Sequence, residues 1–155
     1  LLIINKIIRF NTNINFKLFF LNKDKSFYKV KEYLKNINIK NVKLIINSNN
    51  IARELYSTNI IITSGGYSSF ESSFLKKPFF TIQITQNQRY NCIAFEKLGA
   101  SINLGDIKKN NKNLKKIFEK TINDKVLLEN MVKNSKKLFK KWNNNNLVNS
   151  LLKKI

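Results

Sequence analysis

The 155 residues include no histidine, one cysteine, one proline, one tryptophan and four glycines. Without histidine the chain lacks the side chain that titrates near neutrality, and a zinc site is left with almost no ligands. The single thiol, Cys92, cannot form an internal disulfide and fits a reducing, cytoplasmic compartment. With no imidazole to activate it, Cys92 is expected to be a small core residue rather than a nucleophile. Long apolar runs are also missing. The opening LLIINKIIRF is broken by Asn5, Lys6 and Arg9, far short of the roughly 20 residues of a membrane span, and reads as neither signal peptide nor anchor. Because the chain opens on Leu1 and its one methionine is Met131, a longer parent chain with further sequence ahead of Leu1 is expected.

Acids are scarce: 9 Asp and Glu against 29 Lys and Arg, for a formal net charge of +20. Such a charge attracts phosphates, anionic lipid and acidic ligands. The cations are mostly Lys interleaved with Asn and Ile, the bias of an AT-rich genome, and scattered Lys makes a poor dedicated nucleic-acid surface. A basic nucleic-acid-binding module is therefore the alternative rather than the leading reading. A non-catalytic domain that keeps a fold without a ligand is a third.

What the sequence does have is alternation. Residues 1–10 carry the spacing of a helix's last turns, FKLFFL (16–21) is a short apolar strand, and 25–34 reads as a helix. VKLII (42–46) is the next strand, with Asn47 to Asn50 as a turn capping a helix from Ile51. NIIIT (59–63), a helix from Ser68 to Leu75 ended by Lys77-Pro78, and FFTIQI (79–84) follow. A helix from Gln88 to Leu98 closes at Gly99, a strand covers 100–104, and Gly105 is a turn. From Leu114 onward the chain is helical: Leu114, Ile117, Phe118 and Ile122 share one face, and Leu128, Met131, Leu138 and Trp142 another. A last amphipathic helix is expected over 147–155. Apolar strands alternating with helices predict one α/β domain, a Rossmann-like parallel sheet with helices on both faces and a helical part over 107–155.

Such sheets take ligands at the carboxyl ends of their strands, where glycine turns lead into helix N-termini. Ser64-Gly65-Gly66 occupies such a place. The glycines allow close backbone approach, Ser64, Ser68 and Ser69 add hydroxyls, and a phosphate fits the following helix start. Glu71 would repel phosphate, but a carboxylate accepts both vicinal hydroxyls of a ribose. A nucleotide satisfies both halves. The bland alternative is a plain turn with Glu71 complementing a helix dipole. Thr85 to Arg89 (TQNQR) follows the next strand at the same edge, so Gln86, Asn87 and Gln88 could read sugar hydroxyls or a diphosphate. Asn87 could instead simply cap the helix that follows. Tyr67 is either a stacking residue or an exposed turn aromatic. The Lys-rich stretch 133–141 is expected to be a solvated face over Leu138 and Phe139, or else a contact to an anionic membrane.

The stretch from Asn41 to Asp106, with its joint spacing of strand, Ser-Gly-Gly, Glu71, Lys77-Pro78 and Asn87-Gln88, resembles the nucleotide-binding C-terminal domain of GT-B fold enzymes of the glycosyltransferase family 28 type. It looks nearest to the UDP-sugar hydrolase of pseudaminic acid biosynthesis and related spore-coat polysaccharide proteins. It is more distantly similar to the lipid-linked N-acetylglucosaminyl transferase of peptidoglycan synthesis. The resemblance implies that Gly65, Gly66 and Ser68 line the diphosphate and that Glu71 holds the ribose. It also implies that Asn87 and Gln88 face the sugar or phosphates, and that the backbone of Asn47, Ser48 and Asn49 contacts the uracil. Asn59 stands where such enzymes usually carry Asp. The UDP-sugar is then substrate, with no cofactor and no metal. The partner is an N-terminal domain carrying the acceptor site, no catalytic residue lies within these 155 residues, and the chain alone is expected to have no turnover. A cytoplasmic protein, peripheral at the inner membrane face, is implied. The leading reading is the hydrolase; the alternative is a UDP-sugar-dependent glycosyltransferase of cell-envelope polysaccharide synthesis.

Overall fold

The computed structural model describes residues 2–11, 13–109 and 113–139. In chain order these form α1 (Leu2–Lys6), β1 (Phe16–Phe20), α2 (Lys25–Asn36), β2 (Val42–Ile46), α3 (Ile51–Tyr56), β3 (Ile61–Ser64) and α4 (Tyr67–Phe74). Then come β4 (Phe79–Gln83), α5 (Arg89–Lys97), β5 (Ser101–Asp106), α6 (Leu114–Ile122) and α7 (Lys125–Phe139). The helical reading of 1–10 resolves into α1 and a short 3-10 turn over Ile8–Phe10. The expected helix over 147–155 and the place of Trp142 lie outside the described residues.

All strand pairs are parallel, as continuous apolar runs without hairpin turns require. The strands form two ladders, β1-β2 and β3-β4-β5, rather than one continuous sheet. Side chains bridge the gap between them. Phe16 packs on the cluster that holds Ile60 and Ile62, and Phe19 packs on the one that holds Ile61 and Phe79. Alternation along β4 sends Phe80 and Ile82 to one face, with Leu104, Leu114 and Phe118, and Phe79 to the other, with Leu55, Phe95 and Ala100. Helices therefore cover both faces, as the sequence predicts.

Two local readings are corrected. Gly105 is not the turn after a strand ending at 104. β5 runs through it to Asp106, with Gly105 at φ +86°. The pairing Thr81↔Asn103 is followed by Gln83↔Asp106, so β5 holds one extra residue there. A glycine in left-handed backbone at a bulge costs little, which is why the strand survives it. Asn87 does not cap α5 either. Thr85 and Gln88 form a reciprocal capping box around a 3-10 turn over Gln86–Gln88 that leads into α5. Along β5 the N–H groups of Asn103 and Gly105 donate to the side chains of Glu96 (3.2 Å) and Asn103 (2.9 Å).

Candidate nucleotide site

Within each ladder parallel pairing brings the carboxyl ends of the strands to one edge. Asn47 to Asn49, Gly65 and Gly66, and Gln86 to Gln88 follow such ends, Ser64 closes β3, and Ser68 and Glu71 lie on α4. The loops differ in how they start their helices. Asp24 Oδ1 accepts the Phe27 N–H at the start of α2 (3.0 Å), and Asn50 Oδ1 accepts the Arg53 N–H at the start of α3 (2.9 Å). Thr85 caps the turn into α5. At α4 the cap position is Gly66, with no side-chain cap. The first donors of α4 are thus left without the side-chain oxygen that the neighbouring helices have.

The two glycines of this turn do different things. Gly65 is buried, and a Cβ there would lie 2.5 Å from Cys92 Sγ and 2.7 Å from the Gln88 carbonyl oxygen. It is glycine because α5 packs directly against it. Gly66 is freer: a Cβ would meet Ser64 Oγ at 3.5 Å and Gln88 Nε2 at 3.7 Å, ordinary contacts. Ser64 and Gln88 therefore converge on Gly66 from two strand ends.

Gln88 has a fixed orientation. Its Oε1 accepts the backbone N–H of Ile84 (3.0 Å) and of Thr85 (3.4 Å). Only an oxygen can accept from those donors, so Nε2 is the atom turned toward Gly66. Asn87 is exposed, with Oδ1 accepting from the Thr85 hydroxyl at 2.6 Å; Gln86 is also exposed. On α4, Ser68 and Glu71 are exposed and three residues apart, hence on one helix face. Ser69, Ser72 and Ser73 are buried. Ser69 is thus not a ligand donor: its hydroxyl donates to the Gly66 carbonyl at 2.6 Å. Tyr67 stands 91% exposed.

The loop 47–49 lies at the end of β2, in the other ladder. Asn47 adopts φ +45° and donates its N–H to the Phe20 carbonyl, and Ser48 Oγ accepts from the Asn50 N–H. No hydrogen bond joins this loop to the glycine turn among the described residues. Sequence reasoning missed Asn91. Its Nδ2 donates to the Gly65 carbonyl at 2.9 Å, tying α5 to the turn. A polar amide beside buried Cys92 in a helix's first turn was the available signal. Cys92 is 1% exposed, and burial pushes its thiol up, as suits a core residue. Among the described residues there is no metal-ligating group of three or more side chains, and no helix is long and apolar enough to cross a membrane.

Residues 4–146 match the Glycosyltransferase family 28 C-terminal domain. The chain belongs to this family. A curated relative is the UDP-N-acetylglucosamine--N-acetylmuramyl-(pentapeptide) pyrophosphoryl-undecaprenol N-acetylglucosamine transferase of Caldicellulosiruptor saccharolyticus. It is 31% identical over 105 residues, which is 64% of this chain and 28% of the transferase. The stretch matched thus spans little more than a quarter of that relative's length. The family expected from the residues is borne out, and the transferase alternative gains support that the hydrolase reading does not.

Proposed function

We propose that this family 28 domain is the donor-nucleotide half of a UDP-sugar-dependent glycosyltransferase of cell-envelope polysaccharide synthesis. The observation that carries the proposal is the start of α4. It is the one strand-to-helix junction of the four compared that has a glycine where the others have a capping side chain. A diphosphate oxygen would take the place of the missing cap, with Ser64, Ser68 and Gln88 as further donors. Glu71 would accept the two ribose hydroxyls one turn along the helix, and the backbone of Asn47 to Asn49 would meet the uracil. Asn87 and Gln86 would lie on the sugar side.

In such a reaction the bond from the anomeric carbon to the diphosphate oxygen breaks, and a bond to the acceptor oxygen forms. Negative charge grows on the departing UDP. Donors fixed at the helix start stabilise that charge without reorganising, so this half contributes leaving-group stabilisation. The acceptor hydroxyl must lose its proton to a group on the other side of the cleft. No side chain here is assigned that role, and turnover by these residues alone is not expected.

Calorimetric titration of UDP at physiological salt tests the reading. Glu71→Ala should weaken UDP by about 1.5–3 kcal/mol, the range for a hydrogen bond to a charged group, while leaving thermal stability unchanged. Equal affinity in both proteins would remove Glu71 from the site. Binding whose affinity collapses with salt would favour bulk charge attraction instead.

A further inference from the structure

We infer that Asn91 is a positioning residue for the glycine turn. It sets the direction of the Gly66 amide from behind, without touching the diphosphate. The inference deepens the nucleotide reading above and rests on it.

The Asn91 amide donates to the Gly65 carbonyl at 2.9 Å, and no peptide bond among the described residues is cis. In a trans peptide the C=O and the following N–H point in opposite directions. A carbonyl held toward α5 therefore turns the Gly66 N–H away from α5, and that N–H has no acceptor among the described residues. Without Asn91 the Gly65 carbonyl loses its partner, and the 65–66 peptide is free to rotate about its flanking single bonds. Gly66 offers no Cβ to resist the rotation.

Two further contacts make α5 the natural anchor. Gly65 sits so close to Cys92 and to the Gln88 backbone that the turn cannot drift sideways. Gln88 is itself locked by the Ile84 and Thr85 amides. The glycine turn and the 84–88 turn are thus one unit, and Asn91 controls its remaining rotational freedom. Ser69, whose hydroxyl holds the Gly66 carbonyl at 2.6 Å, fixes the next peptide in the same way.

The test compares uridine, UDP and UDP-N-acetylglucosamine binding to the full 155-residue chain and its Asn91→Ala variant, with Asn91→Gln as the donor-keeping control. Uridine affinity should be unchanged, whereas UDP and UDP-N-acetylglucosamine should both weaken about tenfold, with partial recovery in Asn91→Gln. In the ligand-free proteins the Gly66 amide resonance should move in Asn91→Ala while the melting temperature changes little. Loss confined to UDP-N-acetylglucosamine would overturn the inference, because Asn91 would then contact the sugar. A parallel weakening of all three ligands with a large drop in melting temperature would overturn it in favour of a purely structural role. An unmoved Gly66 resonance would overturn it outright. If the unmodified chain bound no UDP while the Gly66 amide still moved in Asn91→Ala, the nucleotide reading would fall and the backbone latch would stand.

Discussion

The turn after β2 and the turn after β3 begin with the same task, leading a parallel strand into a helix, and solve it in opposite ways. After β2 the chain supplies its own oxygens. Asn50 caps α3, Ser48 accepts the Asn50 N–H, and Asn47 closes back on Phe20. After β3 the chain supplies glycine, and its polar side chains, Ser64 and Gln88, stand around the helix start without capping it. A self-capped junction is finished when the protein folds. The one after β3 is left without a side-chain cap, and on the function proposed above a diphosphate oxygen would complete it.

Replacing Gly66 with Asp attacks this difference most directly. Its backbone, at φ −95° and ψ −155°, is already that of a capping residue, and only ordinary contacts surround a Cβ. The variant should fold at least as stably as the parent, yet lose several kcal/mol of UDP affinity to like-charge juxtaposition. Chemical denaturation beside calorimetry reads both, and retained UDP binding would show that the helix start is not the phosphate site. Gly65→Ala should behave oppositely. Its Cβ must displace Cys92 and the Gln88 backbone, at a cost of about 1–3 kcal/mol of folding stability. A denaturation midpoint equal to the parent's would mean that α5 can back away from the turn. Asn50→Ala should cost about 0.5–2 kcal/mol of stability and leave UDP affinity alone. A matching loss of affinity would show that the two turns are coupled after all.

The smallest effect is expected at Glu54. Its carboxyl is held below the usual range chiefly by the hydrogen bond from Lys17 Nζ, at 2.9 Å. A lowered folded-state pKa means stability that is present above the unfolded value and lost as pH falls through the folded one. Glu54→Gln should therefore narrow the stability gap to the parent as acid is added. The slope of melting temperature against pH below about pH 5 reads it.

Much of this contrast was legible beforehand. The Ser-Gly-Gly turn stood out because it falls between a strand and a helix and is followed by Glu71, and the Asn run before Ile51 announced a cap. The near-continuous apolar run of β4, FFTIQI, set between helices, forecast burial on both faces. Where the reading slipped, the cause was a residue type with two meanings. Gly105 looked like punctuation, but a positive-φ glycine inside a strand makes a bulge just as well. Asn87 looked like a cap because Asn usually is one, while the Thr85-x-x-Gln88 spacing was the stronger signature. Asn91 carried only a faint signal, a polar amide beside Cys92, because its partner is a carbonyl 26 residues away and nothing in local propensity encodes that distance. The division into two ladders was equally hidden, since apolar runs report burial and not which strands exchange backbone hydrogen bonds.

The rims of the ladders bear on how copies of this chain meet one another. A strand with free amide groups invites another chain to add beside it, the usual route to aggregation. On β5 the amides of Asn103 and Gly105 are already spent on side chains, and β2, an edge of the other ladder, carries exposed Lys43 at its second position. A newcomer would have to break existing bonds on one rim and bring its backbone alongside an ammonium group on the other. For a chain whose composition is crowded with Ile, Phe and Asn, these few side chains act as a guard on solubility.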